Sequence, residues 1–133
     1  MKEPIRVLLC DDQLAIRSRV RETLAERPGI QVVGEATGGL AGIAMAAELS
    51  PDLVLMDVVM PGMSGIEATR QIRAATPHIK VLAFSAGAER QTVDEMFSAG
   101  AHGFLLKNGD SDELVRAIRS VAAGLYYRSP GLS

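Results

Sequence analysis

The sequence predicts an α/β domain built on a five-stranded parallel sheet, and three observations support this. Five short runs rich in Val, Ile and Leu alternate strictly with five longer segments of helical spacing. The runs are apolar almost throughout, as in strands that helices cover on both faces. The length of 133 residues, 47% of them apolar, suits one domain. With right-handed crossovers, five βα units give a flavodoxin-like, doubly wound (βα)5 fold with strand order 2-1-3-4-5.

Each predicted strand is bounded by Gly, Pro, Asp or Ser, and each predicted helix repeats apolar residues every three or four positions. The strands cover residues 5–10, 30–33, 53–56, 79–84 and 103–106. The helices carry Ile16, Val20 and Leu24; Ile43, Ala46 and Ala47; Ile66, Thr69 and Ile72; Val93, Met96 and Phe97; and Leu114, Ala117, Ile118 and Val121. Ser64, with Glu67 three residues later, can cap the third helix. Pro28, Pro51 and Pro77 follow the ends of the first three helices.

The last ten residues depart from this pattern. Residues 124–133 lose the helical periodicity and contain Pro130 and Gly131. We therefore expect one domain over residues 1–123, followed by the start of an interdomain linker or a C-terminal tail over residues 124–133.

Composition narrows the classes of protein. A formal charge of -2 leaves no excess of Lys and Arg, so we do not expect these residues to bind nucleic acid directly. The single cysteine, Cys10, lies in the first strand run, which indicates a buried thiol in a reducing compartment, and we predict a cytoplasmic location. No apolar stretch approaches the ~20 residues that span a bilayer, and the first residues lack the apolar middle of a signal peptide.

Polar residues follow four of the predicted strands. Asp11 and Asp12 follow the first strand, Asp57 the third, Ser85 the fourth and Lys107 the fifth. In a doubly wound sheet the carboxyl ends of the strands form the ligand site, so these side chains should converge. Three carboxylates repel one another unless a hard cation with oxygen ligands offsets their charge. The pattern therefore predicts a Mg²⁺ site.

Taken singly, each of these residues has a structural explanation. The acidic pair could cap the first helix, Asp57 could cap the third, and Ser85 could belong to a turn. Their joint placement at strand ends, with Lys107 supplying the positive charge, favours a functional site over coincidence.

Four motifs resemble those of response-regulator receiver domains. They are the pair Asp11-Asp12, the run from Asp57 to Gly65, Ser85-Ala86, and the run from Gly103 to Lys107. The resemblance covers about residues 5–123 and implies a domain that accepts a phosphoryl group from a histidine kinase or a phosphotransfer protein. It implies no enzymatic activity beyond the domain's own phosphorylation and dephosphorylation.

The resemblance also assigns roles to single residues. Asp57 would be the nucleophile and phosphoacceptor, and Asp12 and Asp57 would bind Mg²⁺ directly. Asp11 would bind the ion through water, and Val59 would contribute its backbone carbonyl. Lys107 would pair with the phosphate, Ser85 would donate its hydroxyl to it, and the rotamer of Phe104 would follow Ser85. Phosphorylation would then change the surface formed by helix 4, strand 5 and helix 5.

Within the family, the runs Phe104-Leu105-Leu106-Lys107 and Ala122-Ala123-Gly124-Leu125-Tyr126-Tyr127 are most similar to regulators of the NarL/FixJ type. Those regulators carry a LuxR-like helix-turn-helix after the receiver, so DNA would be bound only through such an output domain, with homodimerisation on phosphorylation. Two alternatives stay open: a receiver cut within its linker, or a stand-alone receiver. Asn108 stands where many receivers have a cis proline, so the peptide geometry after Lys107 is undetermined.

Three other functions fit less well. A phosphohydrolase of the haloacid dehalogenase type needs an acid two residues after its nucleophile, where this chain has Val59. A flavodoxin-like electron carrier needs a hydroxyl-rich loop after the first strand, where this chain has Asp11-Asp12-Gln13, and aromatic residues total only 4%. A receiver that signals without phosphate has usually lost an acidic residue or the lysine, and all are present here.

Overall fold

A computed structural model describes residues 3–132 as a six-stranded parallel sheet flanked by five helices. The strand order is β2-β1-β3-β4-β5-β6, which confirms the predicted order 2-1-3-4-5 and adds a sixth strand. In chain order the elements are β1 Ile5–Cys10, α1 Leu14–Ala25, β2 Ile30–Ala36, α2 Gly39–Leu49, β3 Leu53–Asp57, α3 Gly65–Ala75, β4 Lys80–Ser85, α4 Arg90–Ser98, β5 Gly103–Leu106, α5 Ser111–Ala122 and β6 Tyr127–Arg128.

Helices cover both faces of the sheet, as the continuous apolar strands predict. Alternate residues of each strand point to opposite faces. On one face, Val7 and Leu9 pack with apolar residues of α1 and α5. On the other, Leu8 and Met56 pack with residues of α2, α3 and α4. The two apolar layers enclose the strands between them and leave the strand ends free to carry polar side chains.

Several predicted boundaries are confirmed and a few shift by one to three residues. Ser64 caps α3, its hydroxyl accepting a hydrogen bond from the backbone N–H of Glu67 at 3.2 Å. Strand β2 continues to Ala36, and β3 and β4 include Asp57 and Ser85 as their last residues. Both polar residues are thus fixed by strand hydrogen bonding, whereas Asp11 and Lys107 directly follow β1 and β5.

The segment that we predicted as the start of a linker or a tail contributes the sixth strand. Tyr127 and Arg128 pair in parallel with Gly103 and Phe104 of β5. A strand of two residues is too short to show a hydrophobic period in the sequence. Backbone hydrogen bonds to β5 hold it in place. Ser133, the last residue of that segment, lies outside the described residues.

Two further expectations concern single features of the chain. The peptide bond after Lys107 is trans, since the described residues contain no cis peptide. No helix within residues 3–132 is both long and apolar enough to cross a membrane.

Candidate functional site

The carboxyl ends of β1, β3, β4 and β5 bring the predicted site residues together. These strands are neighbours in the sheet, so Asp11, Asp57, Ser85 and Lys107 come to lie at one edge although they are far apart in sequence. The Nζ atom of Lys107 is 2.8 Å from Oδ2 of Asp11 and 3.2 Å from Oδ1 of Asp57. One ammonium therefore contacts two carboxylates that lie 46 positions apart in the sequence.

Burial perturbs the charge at the centre of this cluster. Asp11 is only 4% exposed and Asp57 only 5%. The pKa of Asp57 is raised to about 6, first by burial and then by the Asp11 carboxylate, although Lys107 acts in the opposite direction. Asp57 is consequently mostly ionised at neutral pH. Burial and the Asp11 carboxylate make the ionised form unfavourable in free energy, and a further positive charge would stabilise it.

The acidic residues fit a divalent cation. Asp11, Asp12 and Asp57 each offer a carboxylate oxygen, and these oxygens lie within 4.8 Å of one another. Asp12 is exposed, so the group opens to solvent. Oδ2 of Asp11 is buried without a hydrogen bond, its contact with Lys107 being an ion pair of poor hydrogen-bond geometry. Three carboxylates carry more negative charge than the single ammonium offsets, and their all-oxygen donor set is the kind that Mg²⁺ prefers.

The acidic pair does not cap the first helix. Gln13 is the N-cap residue of α1 and makes no side-chain capping bond. Oδ1 of Asp11 instead accepts a hydrogen bond from the backbone N–H of Gln13 at 2.9 Å. This bond fixes the Asp11 carboxylate so that its other oxygen faces Lys107, and the helix-capping explanation of the pair is wrong.

Ser85 lies beside Asp57 at the end of the neighbouring strand. Its side chain is buried, and its hydroxyl accepts a hydrogen bond from the backbone N–H of Gly87 at 3.3 Å. Its carbonyl accepts the backbone N–H of Lys107 at 2.8 Å, which ties the ends of β4 and β5 together. Asp57, Val59, Ser85 and Lys107 line an open cleft of about 510 Å³ through which another molecule can approach the carboxylate.

Phe104 is fully buried in β5, two residues before the position that pairs with Ser85. It packs in the apolar layer formed with α2, α3 and α4. The aromatic ring that the sequence motif singles out is therefore inside the protein in this structure, in the apolar layer that also includes Val93 and Met96 of α4.

The sequence of this site matches a known family. A profile for the response regulator receiver domain matches residues 7–119. The chain belongs to this family. It is the receiver domain of a two-component response regulator.

Relatives place the receiver among those of the NarL and LuxR types. Response regulator GacA of Pseudomonas viridiflava is 43% identical over 129 residues, which are 97% of this chain and 60% of GacA. The nitrate/nitrite response regulator NarL of Escherichia coli K12 is 36% identical over 132 residues, which are 99% of this chain and 61% of NarL. The chain thus spans about 60% of the length of these relatives.

Solved structures agree with the fold. The structure of a two-component response regulator of the LuxR family from Aurantimonas sp. SI85-9A1 superimposes with a TM-score of 0.93 at 36% identity. The match covers 98% of this chain and 93% of that chain. The signal receiver domain of the putative NarL from Mycobacterium tuberculosis gives a TM-score of 0.89 at 35% identity, covering 92% of this chain and 99% of that one.

Two features of the receiver site escaped the sequence reasoning. A Cβ atom built on Gly65 would lie 2.0 Å from the carbonyl oxygen of Asp57, so only glycine lets α3 approach the end of β3. Lys107 Nζ also lies 5.6 Å from the centre of the Phe84 ring. Gly65 stood in the quoted motif, but its role depends on a close approach that no local pattern reveals.

Cys10, predicted to be a buried thiol, is buried at the end of β1. Burial, together with the charges of Asp57 and Asp11, raises its pKa to about 12. Its Sγ atom lies 3.4 Å from the carbonyl oxygen of Gly38. The thiol stays protonated at neutral pH and is a packing residue of the core, as the strand pattern predicts.

Proposed function

We propose that the receiver accepts a phosphoryl group on Asp57 from a histidine kinase or a phosphotransfer protein. The observation that carries the proposal is the Asp57 carboxylate, buried within 3.2 Å of Lys107 and open to a cleft. A carboxylate in this setting can act as a nucleophile, because Lys107 favours its ionised form and the cleft can hold the incoming phosphoryl group beside it.

In the proposed reaction a carboxylate oxygen of Asp57 attacks the phosphorus atom of phosphohistidine. The new P–O bond forms as the P–N bond breaks, and the electron pair of that bond goes to the imidazole nitrogen, which takes up a proton. The ammonium of Lys107, already between two carboxylates, pairs with an oxygen of the transferred group. The Ser85 hydroxyl turns from the Gly87 amide to donate to another oxygen.

The carboxylates of Asp11, Asp12 and Asp57, with the backbone carbonyl of Val59, would hold Mg²⁺ in this reaction. When bound, the ion supplies positive charge that offsets the phosphoryl oxygens. Val59 lies two residues beyond Asp57 and lines the cleft, and its side chain is exposed.

The phosphoryl group would change the face formed by α4, β5 and α5. Once Ser85 turns toward the phosphate, the space beside it becomes available to Phe104, and the strand that carries Phe104 adjusts with α4. We propose that this change controls homodimerisation and, in a longer regulator, a DNA-binding domain of the LuxR type. Reversal would follow when water enters the open cleft, so that phosphorylation and dephosphorylation of itself are the domain's only catalysis.

Acetyl phosphate with Mg²⁺ tests the acceptor directly, because it donates a phosphoryl group without a kinase. The parent should gain the mass of one phosphoryl group, and Asp57→Asn should gain none. Asp94→Asn, a change at an exposed aspartate of α4, should be modified as the parent is. Modification of Asp57→Asn at the parental rate would exclude Asp57 as the acceptor.

A further inference from the structure

Residues 125–132, which we call the C-terminal strap, lie along the outer edge of β5. The backbone N–H of Tyr127 donates to the carbonyl of His102 at 3.1 Å, and that of Ser129 donates to the carbonyl of Phe104 at 3.0 Å. These bonds continue the parallel sheet beyond β5. The strap therefore pairs with the strand that carries Phe104, and its Ser129 lies beside Leu106 at the end of that strand.

Side chains anchor the strap to the helices on either side of β5. The Tyr127 hydroxyl donates to Oε2 of Glu113 in α5 at 2.6 Å. Burial and this carboxylate raise the pKa of Tyr127 to about 12, so the hydroxyl remains a donor at neutral pH. The Arg128 guanidinium lies 4.4 Å from the centre of the Phe97 ring in α4. The strap is thus in contact with all three elements of the proposed output face.

Ser129 connects the strap to the phosphorylation site. It is only 4% exposed, and its hydroxyl accepts the backbone N–H of Leu106 at 2.9 Å. The next residue, Lys107, donates its own N–H to Ser85 on the opposite side of the strand at 2.8 Å. The end of β5 is therefore held from both sides, by β4 through Lys107 and by the strap through Leu106. Removing either bond frees the backbone from which the Lys107 side chain extends.

We propose that Ser129 is a positioning residue for Lys107, and that docking of the strap and phosphorylation of Asp57 favour one another. The inference rests on the proposed role of Asp57. A docked strap fixes the end of β5 so that the ammonium stays beside the two carboxylates. Because coupling between two equilibria is reciprocal, a phosphoryl group that engages Lys107 tightens the strap in return. The strap is then a functional part of the receiver.

The test uses the whole 133-residue chain with two substitutions that weaken docking by separate contacts. Ser129→Ala removes the acceptor of the Leu106 amide, and Tyr127→Phe removes the bond to Glu113 without touching β5. Pro130→Ala, at an exposed position of the strap, is the matched control. Hydrogen exchange of the Leu106 amide in Ser129→Ala should speed up about 5- to 30-fold, as expected when a buried backbone donor loses its partner.

The same variants are then phosphorylated with acetyl phosphate over a range of concentrations. Ser129→Ala and Tyr127→Phe should both lower the maximal rate, each in proportion to its loss of exchange protection in the strap. The half-saturating concentration should change little, because the cleft and Asp57 are intact. Beryllofluoride with Mg²⁺, a mimic of the phosphoryl group, should slow exchange of the Ser129 amide in the parent and in Pro130→Ala.

Two results would overturn the coupling. One is a maximal rate in Ser129→Ala and Tyr127→Phe equal to that of Pro130→Ala despite faster exchange. The other is exchange of the Ser129 amide that beryllofluoride leaves unchanged in the parent. If the parent itself took up no phosphoryl group on Asp57, that result would contradict the proposed function, and the coupling that rests on it would be excluded as well.

Discussion

Among the single side chains, Asp57 has the most strongly perturbed charge of the site. Its pKa of about 6 lies above its ordinary value of 3.8, so folding favours the protonated form. The stability that this group contributes is present below about pH 4 and is lost as the pH rises through 6. The metal-free protein should therefore unfold more easily at pH 8 than at pH 5, as far as Asp57 is concerned.

Asp57→Asn replaces this carboxylate by an uncharged group of the same shape. In the absence of Mg²⁺, its free energy of unfolding at pH 8 should exceed that of the parent by about 1–3 kcal/mol, at 1.36 kcal/mol per pKa unit. At pH 4 the two proteins should be nearly equal. Urea unfolding at both pH values measures this, and a variant less stable than the parent at pH 8 would contradict the described electrostatics.

Asp12 is the exposed member of the acidic group, and the fold does not depend on it. Asp12→Ala should weaken Mg²⁺ binding at least about tenfold, since a ligand is lost. Without metal it should unfold at the same temperature as the parent or higher, because like-charge repulsion is relieved. Thermal melts over a Mg²⁺ series, with Asp94→Ala as control, measure both effects. A clearly lower melting temperature without metal would show that Asp12 is a structural residue.

Among the helices and strands, the contact of α3 with the end of β3 controls the position of Asp57. The N–H of Gly65 donates to the carbonyl of Val58 at 2.8 Å, and a Cβ at residue 65 would overlap the Asp57 carbonyl. Gly65→Ala should cost about 1–3 kcal/mol of stability, as overpacking does, and slow phosphorylation by displacing Asp57. Gly38→Ala, at the N-cap of α2 with open space around it, should cost less stability than Gly65→Ala and leave the phosphorylation rate unchanged. Unfolding curves and phosphorylation rates of the two variants decide this.

The helices and strands were predicted correctly where a local residue pattern determines the structure. The five strands and five helices follow from apolar period and capping, and Ser64 caps α3 as its spacing with Glu67 indicates. The strand β6 does not follow from any period, because two backbone amides and a buried Ser129 hydroxyl hold it against β5. The strap was predicted as a linker or tail for the same reason.

Across the molecule, the site residues could be predicted from the sequence because a parallel sheet gathers its strand ends at one edge. Asp11, Asp57, Ser85 and Lys107 needed only the strand assignments and that rule. Gly65 and Phe84 could not be found in this way. Their roles come from how closely a helix approaches a carbonyl and from which ring faces an ammonium, and both depend on tertiary packing.

The proposed switch extends from Ser85 through Phe104 to the face of α4, β5 and α5. Beryllofluoride with Mg²⁺ should shift the amide resonances of residues 89–122 in the parent, and Ser85→Ala should confine the shifts to the cleft. If the face also forms the dimer, a coupling of about 1–3 kcal/mol would change the dimer dissociation constant by about 5- to 150-fold. Equally extensive shifts in Ser85→Ala would remove Ser85 as the trigger.

The most direct test of the account is to locate the phosphoryl group on the chain. After reaction with acetyl phosphate and Mg²⁺, peptide mapping by mass spectrometry under mild conditions should place one acid-labile phosphoryl group on Asp57. A phosphoryl group on Asp11, Asp12 or Ser85, with Asp57 unmodified, would contradict the assignment of Asp57 as the acceptor.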